Sequence, residues 1–192
     1  MTAPPRGASD TMSAEHTTSP ARELIHSRQV HCRAYRRDDG LWDIEGEMID
    51  TKTHDIHTYG NKDVKAGEPV HHMRLILSLD EKLVIRAVRT ESLHFPGGDC
   101  HQIQPAYQKL VGVSIGPGFT RVVKDLFRGV GGCTHLSELT GPMATTAYQA
   151  MWDFIEARHP EGSSGIVNTC FSFRSGGESV RIHWPEKYTG QG

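Results

Sequence analysis

Along Leu41-Trp42-Asp43-Ile44-Glu45-Gly46-Glu47-Met48-Ile49-Asp50-Thr51-Lys52, apolar and acidic residues alternate. Trp42, Ile44 and Met48 share one parity; Asp43, Glu45 and Glu47 share the other. Successive side chains of a strand point to opposite faces, so this stretch predicts a strand with one dry and one wet face. Gly46 is a place where a bulge would flip the later parity. Without a bulge, Asp50, Lys52 and His54 continue along the dry face.

Working outward, Asp38-Asp39-Gly40 reads as a turn back to an earlier strand near Gln29 to Arg36. Downstream, Asp55 to Pro69 reads as a long polar loop. Val70 to Leu79 is the next strand, with His71 on the side of Met73, Leu75, Leu77 and Leu79. A turn at Asp80-Glu81-Lys82 leads into Leu83 to Glu91, where Val84 and Val88 compete with Leu83, Ile85 and Ala87 for the buried parity. These runs predict an antiparallel meander.

After Pro96-Gly97-Gly98 the period becomes helical. Asp99 to Leu110 reads as a short helix, and Gly118 to Phe127 as a second. A third helix starts after Cys133 and is interrupted at Gly141-Pro142. Ala144, Ala147, Tyr148, Met151 and Ile155 then mark an amphipathic helix ending near Arg158. One strand is expected near Val180 to Trp184. The expected architecture is α+β, an antiparallel meander sheet followed by a helical C-terminal half. A single domain over 23–187 would carry it, between a disordered tail (1–22) and a flexible C-terminus (188–192).

The chain has 192 residues, net charge -2 and 36% hydrophobic residues. No basic field marks a nucleic-acid partner. No apolar run approaches the roughly 20 residues of a membrane span, and Met1 to Pro20 lacks the apolar core of a secretory signal. Cys32, Cys100, Cys133 and Cys170 include no C-x-x-C pair and read as free thiols in a cytoplasmic protein. Homo-oligomerisation is left open.

Three groups can carry chemistry. Asp50, Lys52 and His54 place an acid, an amine and an imidazole on one face, where they can shift one another's pKa and move protons; a strand end with an ordinary ion pair explains them as well. His71 beside four apolar residues is either a hydrogen-bonded core histidine or a base at a pocket edge. Gly131-Gly132-Cys133-Thr134-His135 puts a thiol and an imidazole at a helix start, where the dipole favours the thiolate. A turn capped by Thr134 explains that block without function. Arg74 shares its face with His72 and can pair with the acids of the wet face or with a substrate anion. Trp42, Tyr59, Tyr107, Phe119 and Trp152 are candidate pocket aromatics.

The segments Arg37 to Gly46 with Asp50-Thr51-Lys52, Pro69 to Leu75, a lone Cys100, Leu110-Val111-Gly112 and Gly132-Cys133-Thr134-His135-Leu136-Ser137-Glu138-Leu139 resemble, in order, a bacterial family catalogued as a domain of unknown function. The resemblance covers about Val30 to Ile155, and His72 departs from its pattern. Some members look like lyases of lignin-degrading bacteria, releasing formaldehyde from phenylcoumaran-type aromatic dimers to leave a stilbene. The resemblance therefore implies a carbon–carbon lyase on a small aromatic substrate, needing neither cofactor nor metal. On it, His71 is a base, Asp50 its partner, and Lys52 or Arg74 the anion stabiliser. Trp42, Tyr59, Cys133 and His135 would contact substrate. Two other classes fit the residues: a metal-binding protein drawing on His71, Cys100, His101, Cys133 and His135, and a non-catalytic small-ligand binding module.

Overall fold

The structure is a computed structural model that describes residues 20–158 and 165–190. Most of the expected tail (1–19) and the last two residues of the expected flexible C-terminus lie outside the described residues.

The alternation in the N-terminal half builds a four-stranded sheet from β1 (His26–Arg36), β2 (Trp42–Lys52), β5 (Pro69–Leu79) and β6 (Ile85–His94). Their order is β1-β2-β5-β6, and every neighbouring pair is antiparallel, as expected for a meander. The Asp38-Asp39-Gly40 turn closes the first hairpin. Gly40 takes a φ of 86°, which suits glycine, and the Arg37 amide donates to the Leu41 carbonyl at 2.9 Å.

Gly46 does not bulge. Its pairing with Cys32 and Leu75 is in register, so Asp50 stays on the dry face with Ile44 and Met48. The glycine is there for space: a Cβ would lie 2.5 Å from Met143 Sδ of the helix packed above it.

Two departures from expectation lie within the strand half. The polar loop from Asp55 contains a small hairpin, β3 (Ile56–His57) with β4 (Asp63–Val64). The competing parities after Asp80 have a physical cause. Leu79 pairs with Ile85 but Ser78 pairs with Ala87, so Arg86 is bulged out and the buried positions switch from Leu83 and Ile85 to Val88.

The helical half lies against one sheet face. A 3-10 helix, not an α-helix, spans Cys100–Leu110 around Pro105 and buries Tyr107 and Leu110. Helix α1 (Phe119–Leu126) begins after Gly118, whose φ is 88°. Helix α2 (Thr134–Ala150) runs unbroken through Gly141-Pro142, and the break comes instead at Met151, before α3 (Trp152–Arg158). A proline forfeits one hydrogen bond inside a helix. Here Leu136, Leu139, Met143 and Ala147, all fully buried, hold the helix on the sheet across that gap. Thr134 is the first helical residue rather than the cap; Cys133 occupies the cap position. The expected strand near Val180 is helix α4 (Glu178–His183), where Arg181 pairs with Glu178 one turn earlier and Val180 is buried. No described helix is long and apolar enough to cross a membrane.

Candidate functional site

The strand register brings the first components together. Asp50 on β2 pairs with Arg28 on β1 and with His71 on β5. Directly paired residues project to the same face, so an acid, a guanidinium and an imidazole stand side by side. Asp50 is only 1% exposed. A carboxylate that deeply buried needs partners. Arg28 supplies a two-pronged bond, Nε donating to Oδ1 at 2.7 Å and Nη2 to Oδ2 at 2.8 Å. The third guanidinium nitrogen, Nη1, donates to Glu138 of α2 at 2.6 Å.

Helix α2 delivers the last component. Its first turn carries His135, whose ring stacks on His71 with centroids 3.7 Å apart. His71 Nδ1 lies 3.2 Å and His135 Nε2 3.7 Å from the same oxygen, Asp50 Oδ2. His26 Nε2 approaches Oδ1 at 3.5 Å. Behind the imidazole, Cys133 Sγ is 3.9 Å from His135 Nδ1.

The turn that aims His135 is anchored from below. The buried Tyr107 hydroxyl accepts from the Cys133 amide at 3.0 Å and lies 2.8 Å from the Cys133 carbonyl and 2.7 Å from Ser137 Oγ. Gly132 presses on Phe127, where a Cβ would sit 2.4 Å from Phe127 Cβ and 2.9 Å from its carbonyl oxygen. Backbone cannot yield as a side-chain tip can. Gly132→Ala is therefore expected to destabilise by about 1–3 kcal/mol and to move His135 off Asp50. Urea denaturation and the ring-proton NMR signals of His71 and His135 would measure both; wild-type stability with unmoved signals would refute it.

The electrostatics follow from burial and charge. Burial alone pushes the Asp50 carboxyl up, but the Arg28 hydrogen bond and charge, with the two imidazoles, outweigh it, and the net shift is downward. Burial, then the nearby His135, pushes His71 down to about 4. Burial, then Arg28, also lowers His135. At neutral pH the centre thus holds an ionised Asp50, a charged Arg28 and an unprotonated His71 that can accept a proton or coordinate a cation.

The other expected residues do not join this ionic cluster. Lys52 shares Asp50's parity but is not among its ionic neighbours, which are His26, Arg28, His71 and His135. His54 is exposed. Arg74 is on the opposite sheet face, bonded to Glu47 at 3.1 Å and Glu91 at 3.0 Å. Glu47 also bonds His72, at 2.8 Å. Trp42 is eight residues along β2 from Asp50, roughly 27 Å at the rise of a strand, and its ring meets Phe154 and Arg36. Tyr59 is 86% exposed beside Gly97. Cys100 and His101 neighbour Gly97 and Phe95 instead of the centre.

Arg28, His26 and Glu138 were not anticipated. Counting outward from the Asp38-Asp39-Gly40 turn pairs Arg36 with Trp42 and, carried along the hairpin, Arg28 with Asp50. Beside the centre, between α1 and α2, lies a groove of about 510 Å³ lined by Val123, Phe127, Thr134, Ser137 and Glu138. Glu138 belongs to both.

The model of a family described as "Protein of unknown function (DUF2889)" matches residues 26–149. No curated protein and no solved structure matches the chain.

Proposed function

We propose, for a chain that belongs to the DUF2889 family, that it is a redox-neutral carbon–carbon lyase releasing formaldehyde from a phenolic phenylcoumaran. The observation that carries this reading is the buried Asp50 carboxylate in contact with two stacked imidazoles and one guanidinium. Two imidazoles beside one carboxylate can serve two proton transfers at one place.

In the first step a base takes the proton of the phenol para to the benzylic carbon. The benzylic carbon–oxygen bond of the furan ring breaks, giving a quinone methide and a phenoxide. In the second step a base takes the hydroxymethyl proton. The bond to the hydroxymethyl carbon breaks, its electrons form the stilbene double bond, and the quinone methide returns to a phenolate. The phenolic oxygens recover the two protons, so the products are a stilbene and formaldehyde with no net oxidation.

His71 and His135 are the bases in this reading. Asp50 orients them and stabilises each imidazolium as it forms. Arg28 offsets the phenoxide charge in place of Lys52 or Arg74. The groove between α1 and α2, which meets the cluster at Glu138, falls within the roughly 300–1,000 Å³ range of small-molecule pockets, and Val123 and Phe127 give it an apolar side.

The test is incubation of the purified chain with a phenolic phenylcoumaran, following formaldehyde and stilbene together. Equal amounts of both are expected. His71→Ala and His135→Ala should each slow release by about 10²–10⁴-fold, while Lys52→Ala retains turnover. Absence of formaldehyde from folded wild-type protein, or full turnover in both histidine variants, would sink the reading.

A further inference from the structure

We propose that Asp50 Oδ2, His71 Nδ1 and His135 Nε2 form a three-ligand site for a divalent first-row metal ion, with zinc the best match to the donors. The three ligand atoms lie within 4.8 Å of one another. Two of their separations are informative. The 3.2 Å from His71 Nδ1 to Oδ2 is at the long end of a hydrogen bond, and the 3.7 Å from His135 Nε2 is beyond one. They bracket the edge of a tetrahedron about a zinc ion, which is roughly 3.3 Å for ligands at about 2.0–2.1 Å.

The surroundings are those of a metal site. Metal-bound histidines use their other ring nitrogen to bond an outer partner, which fixes tautomer and direction. Cys133 Sγ sits at that place on His135 Nδ1. A proton on Nδ1 leaves the Nε2 lone pair facing Asp50. Arg28 holds the carboxylate from the far side, through Nε on Oδ1 and Nη2 on Oδ2. Its positive charge opposes a cation, but Glu138 bonded to Nη1 offsets it, so Asp50 leaves the cluster net negative. Imidazole with one carboxylate suits zinc and its neighbours rather than magnesium or calcium. Three protein ligands leave a fourth position for water or substrate, the pattern of a catalytic zinc site rather than a structural one.

Such an ion lowers the pKa of its bound water to about 7, and a bound hydroxide would then take the proton that the preceding reading gives to a free imidazole. That use rests on the lyase reading; the site itself rests on ligand geometry.

The experiment uses the full chain without an affinity tag, stripped with a chelator, exposed to zinc chloride and desalted. One equivalent of zinc is expected to remain, and cobalt in its place should give the visible absorption of a tetrahedral ion. His71→Gln and His135→Gln should lose the ion. Cys133→Ser should weaken binding by about 10–100-fold, as outer-partner changes do. His57→Ala, which removes an exposed imidazole paired with Asp63, should leave the stoichiometry at one. Folded wild type that retains neither zinc nor cobalt would overturn the proposal. So would a His71→Gln, His135→Gln double variant that still holds one equivalent. Binding is read without substrate: a loaded protein that releases no formaldehyde sinks the lyase reading alone, and a zinc-refusing protein that releases it sinks the metal alone.

Discussion

Asp50→Asn, measured on metal-free protein, is expected to lower the melting temperature by about 2–8 °C and to abolish formaldehyde release. Asparagine keeps the shape of aspartate and removes its charge. Arg28 then loses the anion that takes two of its hydrogen bonds, and both imidazoles lose the oxygen they face. Breaking one side of a buried pair costs about 3–5 kcal/mol, because the remaining charge is stranded. Arg28 is 37% exposed and keeps Glu138, so the cost falls below that range, to about 1–2 kcal/mol. For a chain of this size about 2–4 °C accompanies each kcal/mol.

The contrast with Arg28→Met separates charge from shape. Removing both partners restores most of the loss when the cost is a stranded charge. The double variant Arg28→Met, Asp50→Asn should therefore melt above Asp50→Asn alone. Additive losses in the double variant, or an Asp50→Asn change within about 0.5 kcal/mol of wild type, would mean that the pair is held as loosely as an exposed one.

The sequence reached Asp50 and His71 through parity alone, because both sit on strands with one clean buried face. It reached His135 through the glycine-rich helix start and a family motif, and Arg28 not at all. The reason is physical. β1 is an edge strand, mostly exposed, and its residues carry no alternation from which a face can be read. Only the pairing counted from the hairpin turn places Arg28 across from Asp50. Local rules failed where tertiary packing opposed them. Pro142 marks a helix end by its own chemistry, yet the buried stripe from Leu136 to Ala147 carries α2 through it. Cys100 and His101 fit a metal-ligand composition, but the 3-10 helix that bears them lies by Phe95, away from His71. Trp42 and Tyr59 are aromatic in the right region of sequence, but Trp42 is at the far end of β2 and Tyr59 is exposed beside Gly97. A strand separates its residues by about 3.3 Å each, so nearness in sequence along β2 is not nearness in the fold.

Acidifying the metal-free protein from pH 6.5 to about 4 is expected to remove about 3 kcal/mol of stability through His71 alone. The side chain is 15% exposed and stacked on His135. Burial, then the nearby His135, lowers its folded pKa, Asp50 opposes both, and the net value is about 4. In the unfolded chain the same imidazole titrates near its ordinary 6.5. Between those values the unfolded state binds a proton that the folded state refuses. Stability then falls as pH falls, at up to about 1.4 kcal/mol per pH unit, and the loss from this group is complete once pH passes the folded value. His135, shifted the same way, adds to the slope. Asp50 acts in a later window: its folded pKa is depressed, so its contribution persists until pH drops through that lower value. His71→Phe keeps a ring to stack on His135 and removes the titration. Urea denaturation of both proteins at pH 7, 6, 5 and 4.5 should give a shallower dependence for the variant. Parallel lines would mean that the folded protein accepts the proton at His71 as readily as the unfolded chain does, and that this imidazole is not held neutral by its surroundings.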